Sequence, residues 1–294
     1  MAGYAWMSLA VLIWAGWLVL TSSGHTTALS VVDLATLRAL IPAAVLSPLL
    51  WRHRRTVAQL GVMRCLMLSA YGAPFTLLVG YGLGLAPVAH AGALVPGLMP
   101  VFAFGLACMF LGQRLSRRYV VSVFFILSGA AAIVLRGAGH AATQDPSAGH
   151  LLFLLGALCW ACFTVTIRAF GIPAFLATAV VGTVSAALLF PVWMLSDLSN
   201  FSEAHWTDIA FQAVFQGIIS GLVSLVAFSR ALRLIGGQAS ALSALTPGVA
   251  TLLAVPVLGQ TPHSIDVLAI VFVVTGLIIW NRAASQPDYS RERI

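Results

Sequence analysis

Apolar runs of about twenty residues, with no alternation of polar positions, fill this chain from residue 4 to residue 281, and that pattern removes most folds from consideration. A hydrocarbon layer of about 30 Å takes roughly 20 apolar residues per helical crossing. Within it every backbone polar group must be satisfied by the protein itself, which leaves helices and closed barrels. Continuous runs select helices over strands. Only 8% of the residues are charged and 60% are hydrophobic, against about 25% charged in an ordinary soluble domain, so lipid must solvate most of the surface. The runs predict ten membrane helices, at roughly 4–22, 29–51, 64–84, 88–110, 118–136, 150–168, 173–196, 209–229, 236–257 and 265–281. The N-terminal run lacks a basic leader and a small-residue cleavage site, and is read as a retained first crossing.

The formal net charge is +7, and all 15 basic residues are arginines. They gather after the even-numbered runs: Arg52, Arg54, Arg55 and Arg64; Arg114, Arg117 and Arg118; Arg168; Arg230 and Arg233; Arg282, Arg291 and Arg293. Only Arg38 and Arg136 are left over. Asp33, Asp145, Asp197, Glu203, Asp208 and Asp266 fall on the other side. Such asymmetry is a topology signal, and it places both termini in the cytoplasm. It also argues against nucleic acid as a partner, because no basic face is formed.

Residues 98–113, LMPVFAFGLACMFLGQ, and residues 245–260, LTPGVATLLAVPVLGQ, match at 8 of 16 positions when laid 147 apart. A five-crossing unit starts on one side of the bilayer and ends on the other, so a tandem copy lies upside down. Loop charge should then reverse between equivalent loops, and it does: basic 52–55 answers to acidic 197–205, and basic 114–118 to 261–266. The expected fold is an all-α membrane protein, ten transmembrane helices arranged as two inverted five-helix repeats around a central cavity. The repeats are expected at 1–136 and 150–282, with a linker at 137–149 and a cytoplasmic tail at 283–294.

This layout, with Trp14 echoed by Trp160 and a mid-run proline followed by Leu-Gly-Gln in runs four and nine, resembles the drug/metabolite transporter superfamily, and within it bacterial permeases with two EamA domains. The resemblance implies a multi-pass protein of the bacterial inner (plasma) membrane that exports amino acids or related small metabolites through a cavity opening alternately to each side. The family usually writes Gly-Glu where this chain has Gly112-Gln113 and Gly259-Gln260, so a carboxylate is missing twice.

Several residues are candidates for the path. Trp14, Trp17 and Trp160 lie deeper than the tryptophans at run ends (Trp6, Trp51, Trp193, Trp206 and Trp280) and suit a cavity wall that stacks a ring or an ammonium group; helix packing is the competing reading. Gln212, Gln216, Ser220 and Ser224 recur every four residues along run eight. Ser240, Ser243 and Thr246 add polar groups in run nine, Tyr71 and Tyr81 in run three. They fit a polar or zwitterionic substrate and equally fit interhelical hydrogen bonding. The candidate substrate-binding set is Trp14, Trp17, Trp160, Tyr81, Gln216, Ser220 and Ser243; the candidate gating set is Arg38, His90, Pro100 and Pro247.

Arg38 is expected about one turn inside run two, near Asp33 at the outer mouth, to attract a carboxylate or to snorkel outward. His90 opens run four on the same side and is a candidate for coupling protons, or an interfacial group. Pro96, Pro100, Pro247 and Pro256 are expected to kink runs four and nine as a duplicated hinge. Gly80-x3-Gly84 and Gly217-x3-Gly221 read as close-packing sites. Cys159-x2-Cys162 offers two ligands where zinc needs four, and reads as packing. No nucleophile–base pair, paired carboxylates or phosphate loop emerges, so neither enzyme activity nor a cofactor or metal is expected. The expected partners are a small-molecule substrate, the lipid bilayer and, as a coupling ion, protons. Efflux of aromatic or cationic drugs and a non-transporting membrane scaffold are the alternative functions.

Overall fold

The computed structural model describes residues 1–24, 28–113, 116–138 and 146–284. Arg114, Asp145, most of the linker, and the tail beyond residue 284 with Arg291 and Arg293 lie outside the described residues, as do the side chains of Arg136 and Ser240. The described residues form helices α1 (Ala2–Gly24), α2 (Val31–Arg52), α3 (Arg54–Ser69), α4 (Ala73–Leu85), α5 (Val88–Leu111), α6 (Arg117–Ala138), α7 (Pro146–Phe170), α8 (Ala174–Leu195), α9 (Trp206–Gln212), α10 (Ser224–Ile235), α11 (Gly237–Ser243), α12 (Thr246–Leu258) and α13 (Ser264–Ala284). A π-helix, Ala213–Val223, joins α9 to α10.

Nine of the described helical stretches are long and apolar enough to cross a bilayer, and Thr246–Leu258 is a shorter apolar helix. Together with α11 it makes crossing nine, which brings the count to ten. Crossings one, two, four, five, six, seven and ten are single helices: α1, α2, α5, α6, α7, α8 and α13. Crossing three is α3 plus α4, and crossing eight is α9, the π-helix and α10.

The packing has the symmetry that the repeat demands. Crossing one packs on crossings eight and nine; its counterpart, crossing six, packs on crossings three and four. Crossings two and seven pair with each other, as do five with ten and four with nine. Exchanging the halves maps each of these contacts onto another or onto itself. Each first helix is thus embedded mainly in the opposite half. Helices in lipid gain little from hydrophobic burial against one another and need close approach instead. Gly217 and Gly221 supply it on crossing eight: a Cβ there would come within 2.6 Å of Ile41 Cβ and 2.8 Å of Pro42 Cγ on α2.

The duplicated Leu-Gly-Gln is a helix stop. Gly112 and Gly259 both adopt the left-handed conformation, φ 64° and 67°, one residue past the ends of α5 and α12. The next amide turns back in each copy, Gln113 N–H onto Ala107 O (3.2 Å) and Gln260 N–H onto Ala254 O (3.3 Å). Each helix thus ends in a left-handed glycine cap, a conformation that only glycine takes without penalty. The second Gln does more. Gln260 Oε1 accepts the Val88 N–H at 3.0 Å, one of the orphan donors at the start of α5. An amide oxygen meets that need without a carboxylate.

The prolines of the expected duplicated hinge are placed differently in the two copies. α5 runs unbroken through Pro96 and Pro100. Crossing nine is broken instead, between Ser243 and Thr246, and Pro247 sits in the first turn of α12. Proline in a first turn loses no intrahelical hydrogen bond, so Pro247 starts a helix rather than kinking one.

Candidate functional site

A cavity of about 620 Å³ lies between the two repeats. Its floor is at mid-depth, where Trp14, Trp17, Arg38, Tyr71, Phe75, Pro100 and Trp160 line it. From there it extends toward one end of the bundle. It reaches Arg168 in the last turn of α7, Ala174 at the start of α8, Leu232 near the end of α10, and Trp280 and Asn281 near the end of α13. That is the arginine-rich end.

The opposite end is closed. Leu18, Val19, Val79, Leu83, Val88 and Leu94 form a fully packed apolar plug from α1, α4 and α5. Polar latches surround it. His90 Nδ1 on α5 lies 2.9 Å from His150 Nε2 on α7, and His90 Nε2 lies 3.4 Å from Asp266 Oδ1 on α13. Asp33 caps α2 reciprocally with Ser30. It also accepts from Trp193 Nε1 (2.9 Å), Ser199 Oγ (2.7 Å) and the Asn200 N–H (3.1 Å), tying α2 to crossing seven and the loop after it. Asp33 is 0% exposed, and such a carboxylate is tolerable only with this many donors.

The floor of the cavity is a packed aromatic wall with one cation beside it. Arg38 Nη1 donates to Ser220 Oγ, and Nη2 to the Tyr71 hydroxyl at 3.5 Å. Its guanidinium lies 4.7 Å from the centre of the Trp17 ring, a cation–π arrangement. Trp17 stacks on Phe75 at 5.4 Å, and Tyr71 meets Trp160 edge-on at 4.3 Å. Trp14 packs against Phe228 at 5.3 Å. Behind this wall Gln216 Oε1 accepts the Trp17 Nε1–H at 3.0 Å. Its amide donates to Thr21 Oγ1 and to Gln212 Oε1, each at 3.2 Å.

Of the sequence-derived candidates, Trp14, Trp17, Trp160, Ser220, Ser243, Arg38 and Pro100 all line this cavity. Tyr81 does not: it lies on the outer face of α4 and is 45% exposed. Tyr71, at the break between α3 and α4, occupies the position expected of it. Gln216 is 1% exposed and supports Trp17 from outside the lining. Arg38 lies two turns into α2 and faces inward, not at the outer mouth, because its hydroxyl partners are at mid-depth. His90 is 6% exposed, within the closed end, and Pro247 is buried away from the lining. The π-helix, Phe163, Phe228 and Arg168 were not anticipated as site features. No group of three or more metal-binding side chains occurs among the described residues, and Cys159 and Cys162 are free thiols.

The EamA-like transporter family matches residues 1–135 and again residues 147–282. The uncharacterised transporter YyaM of Bacillus subtilis (strain 168) is 28% identical over 207 residues, which is 68% of this chain and 66% of that protein, just under two thirds of its length. One solved crystal structure shares the fold, with a TM-score of 0.55 at 20% identity over 97% of this chain and 99% of the other. A bilayer-spanning bundle of two matched halves, with a cavity held between them, is how this chain is built, and it belongs to the EamA-like transporter family.

Proposed function

We propose that the protein is a secondary transporter of the bacterial inner membrane, exporting an amino acid or a related small metabolite by alternating access. The observation that carries this reading is a cavity open at one end and sealed at the other, between repeats of opposite orientation. Rocking one half against the other would close the open end and release the latches at the sealed one. The arginine-rich end is assigned to the cytoplasm by the charge bias of the loops, with both termini there. The conformation is then inward-open, ready to load a solute for export. Trp14, Trp17, Trp160, Ser220 and Ser243 are proposed as its binding surface, with Arg38 as the charged anchor.

Proton coupling is proposed at His90, which bridges His150 and Asp266 in the closed end. The test is counterflow of radiolabelled amino acids and carboxylates in proteoliposomes, with and without a pH gradient. Saturable exchange that rises with the gradient in the wild type and not in His90→Ala supports the whole reading. Saturable exchange indifferent to the gradient removes the proton, and no saturable exchange of any solute removes the transporter. Efflux of aromatic drugs is the second reading, favoured by the aromatic wall of the cavity alone. Arg38 and Arg168 in the lining weigh against cationic ones.

A further inference from the structure

The lining of the cavity carries positive charge with no acid to match it. Arg38 is at the floor and Arg168 at the mouth, and no Asp or Glu occurs among the described lining residues. Arg38 is held by two hydroxyls and the face of an indole. They fix the guanidinium in position and leave its charge uncancelled. A charge partly withdrawn from water at mid-bilayer depth is expensive unless something of opposite sign is brought to it.

We propose that the cavity selects an aromatic monocarboxylate, its carboxylate on Arg38 and its ring in the cavity against the aromatic wall of Trp17, Tyr71, Phe75 and Trp160. This rests on the reading of the cavity as the site of the transported solute. A planar guanidinium fork matches a carboxylate in two parallel hydrogen bonds. The hydroxyls of Ser220 and Tyr71 already lie beside that fork and can turn to donate to the same carboxylate. Counting charge separates the candidates. A monoanion cancels Arg38, a zwitterion leaves the site positive, and an amine doubles the excess. A phosphate dianion overshoots the one guanidinium at the floor, in a wall otherwise aromatic and aliphatic. A volume of about 620 Å³ lies in the range of sites for small organic ligands, and accommodates a ring with a short acidic arm. Arg168 at the open end adds a field that draws anions inward.

The test uses the full chain in nanodiscs and three probes that share one benzyl group: phenylacetate, phenylalanine and phenethylamine, which are anionic, zwitterionic and cationic. Calorimetric titration is expected to rank them in that order, with phenylacetate about tenfold tighter than phenylalanine. Arg38→Gln is expected to abolish the ranking, and Arg38→Lys to keep it at lower affinity, because charge persists while the fork is lost. A flat or reversed ranking in the wild type overturns the proposal, as does a ranking that survives in Arg38→Gln. If Arg38→Gln does not fold, the wild-type ranking and Arg38→Lys decide alone. Proteoliposome flux of the same probes separates this inference from the one beneath it. The expected ranking without any flux upholds the site and contradicts transport. Saturable flux of another solute together with a flat ranking upholds transport and contradicts the site.

Discussion

Trp17 is held from three sides: Phe75 stacks on it, Arg38 lies over its face, and Gln216 takes its N–H. The orientation of this indole, and with it the shape of the cavity floor, depends on a buried amide that the cavity never touches. Gln216→Leu keeps the volume and removes the acceptor, leaving the Trp17 N–H and the Gln212 side chain short of a partner. The expected cost is about 1–3 kcal/mol, read as a lower melting temperature in detergent, together with weaker probe binding. Unchanged melting and binding would show that the indole is placed by stacking alone. The sequence marked Gln212, Gln216, Ser220 and Ser224 as one polar stripe, and all four are buried. It could not show that the stripe divides. Residues four apart share a face of an α-helix, but Ala213–Val223 is a π-helix, whose wider turn rotates successive positions. The two glutamines therefore face α1 while the two serines line the cavity.

Among the elements, crossings four and nine show how one duplicated segment settles into two forms. The stop is shared: Gly112 and Gly259 are left-handed in both copies. Gly259→Ala is expected to cost about 1–2 kcal/mol through the Cβ penalty alone, with no described atom within 4 Å for that Cβ to strike. Denaturation of the variant beside Gly248→Ala, a position equally free of neighbours but without positive φ, isolates the backbone term. Equal stability of the two variants would contradict the cap. The break is not shared, since only crossing nine divides, ahead of Pro247. Proline content pointed to a hinge in both copies, but whether a proline kinks a helix or begins one depends on where the helix starts, and neighbouring crossings decide that. Tyr81 was misplaced for a related reason. The turn at residues 70–72 re-aims α4, so Tyr71 and Phe75 face the cavity and Tyr81 faces outward.

For the molecule as a whole, the architecture was legible because three independent patterns agreed: run length, arginines in alternate loops, and one segment written twice. Each follows from the bilayer, which imposes a length, a charge asymmetry and closed hydrogen bonding on any chain that crosses it. The site was less legible. A residue's depth can be read from its place in a run, but its azimuth is set by which half it packs against, and each first helix packs mainly against the other half. The central claim is that the cavity between the halves is a path and not a blind pocket. It is tested most directly with a cysteine at Met99, which lines the cavity at mid-depth on α5. The background would have Cys65, Cys108, Cys159 and Cys162 replaced. A membrane-impermeant maleimide is applied to right-side-out and to inside-out vesicles. Labelling from both faces, faster from the arginine-rich side, is predicted; labelling from one face alone would contradict the account.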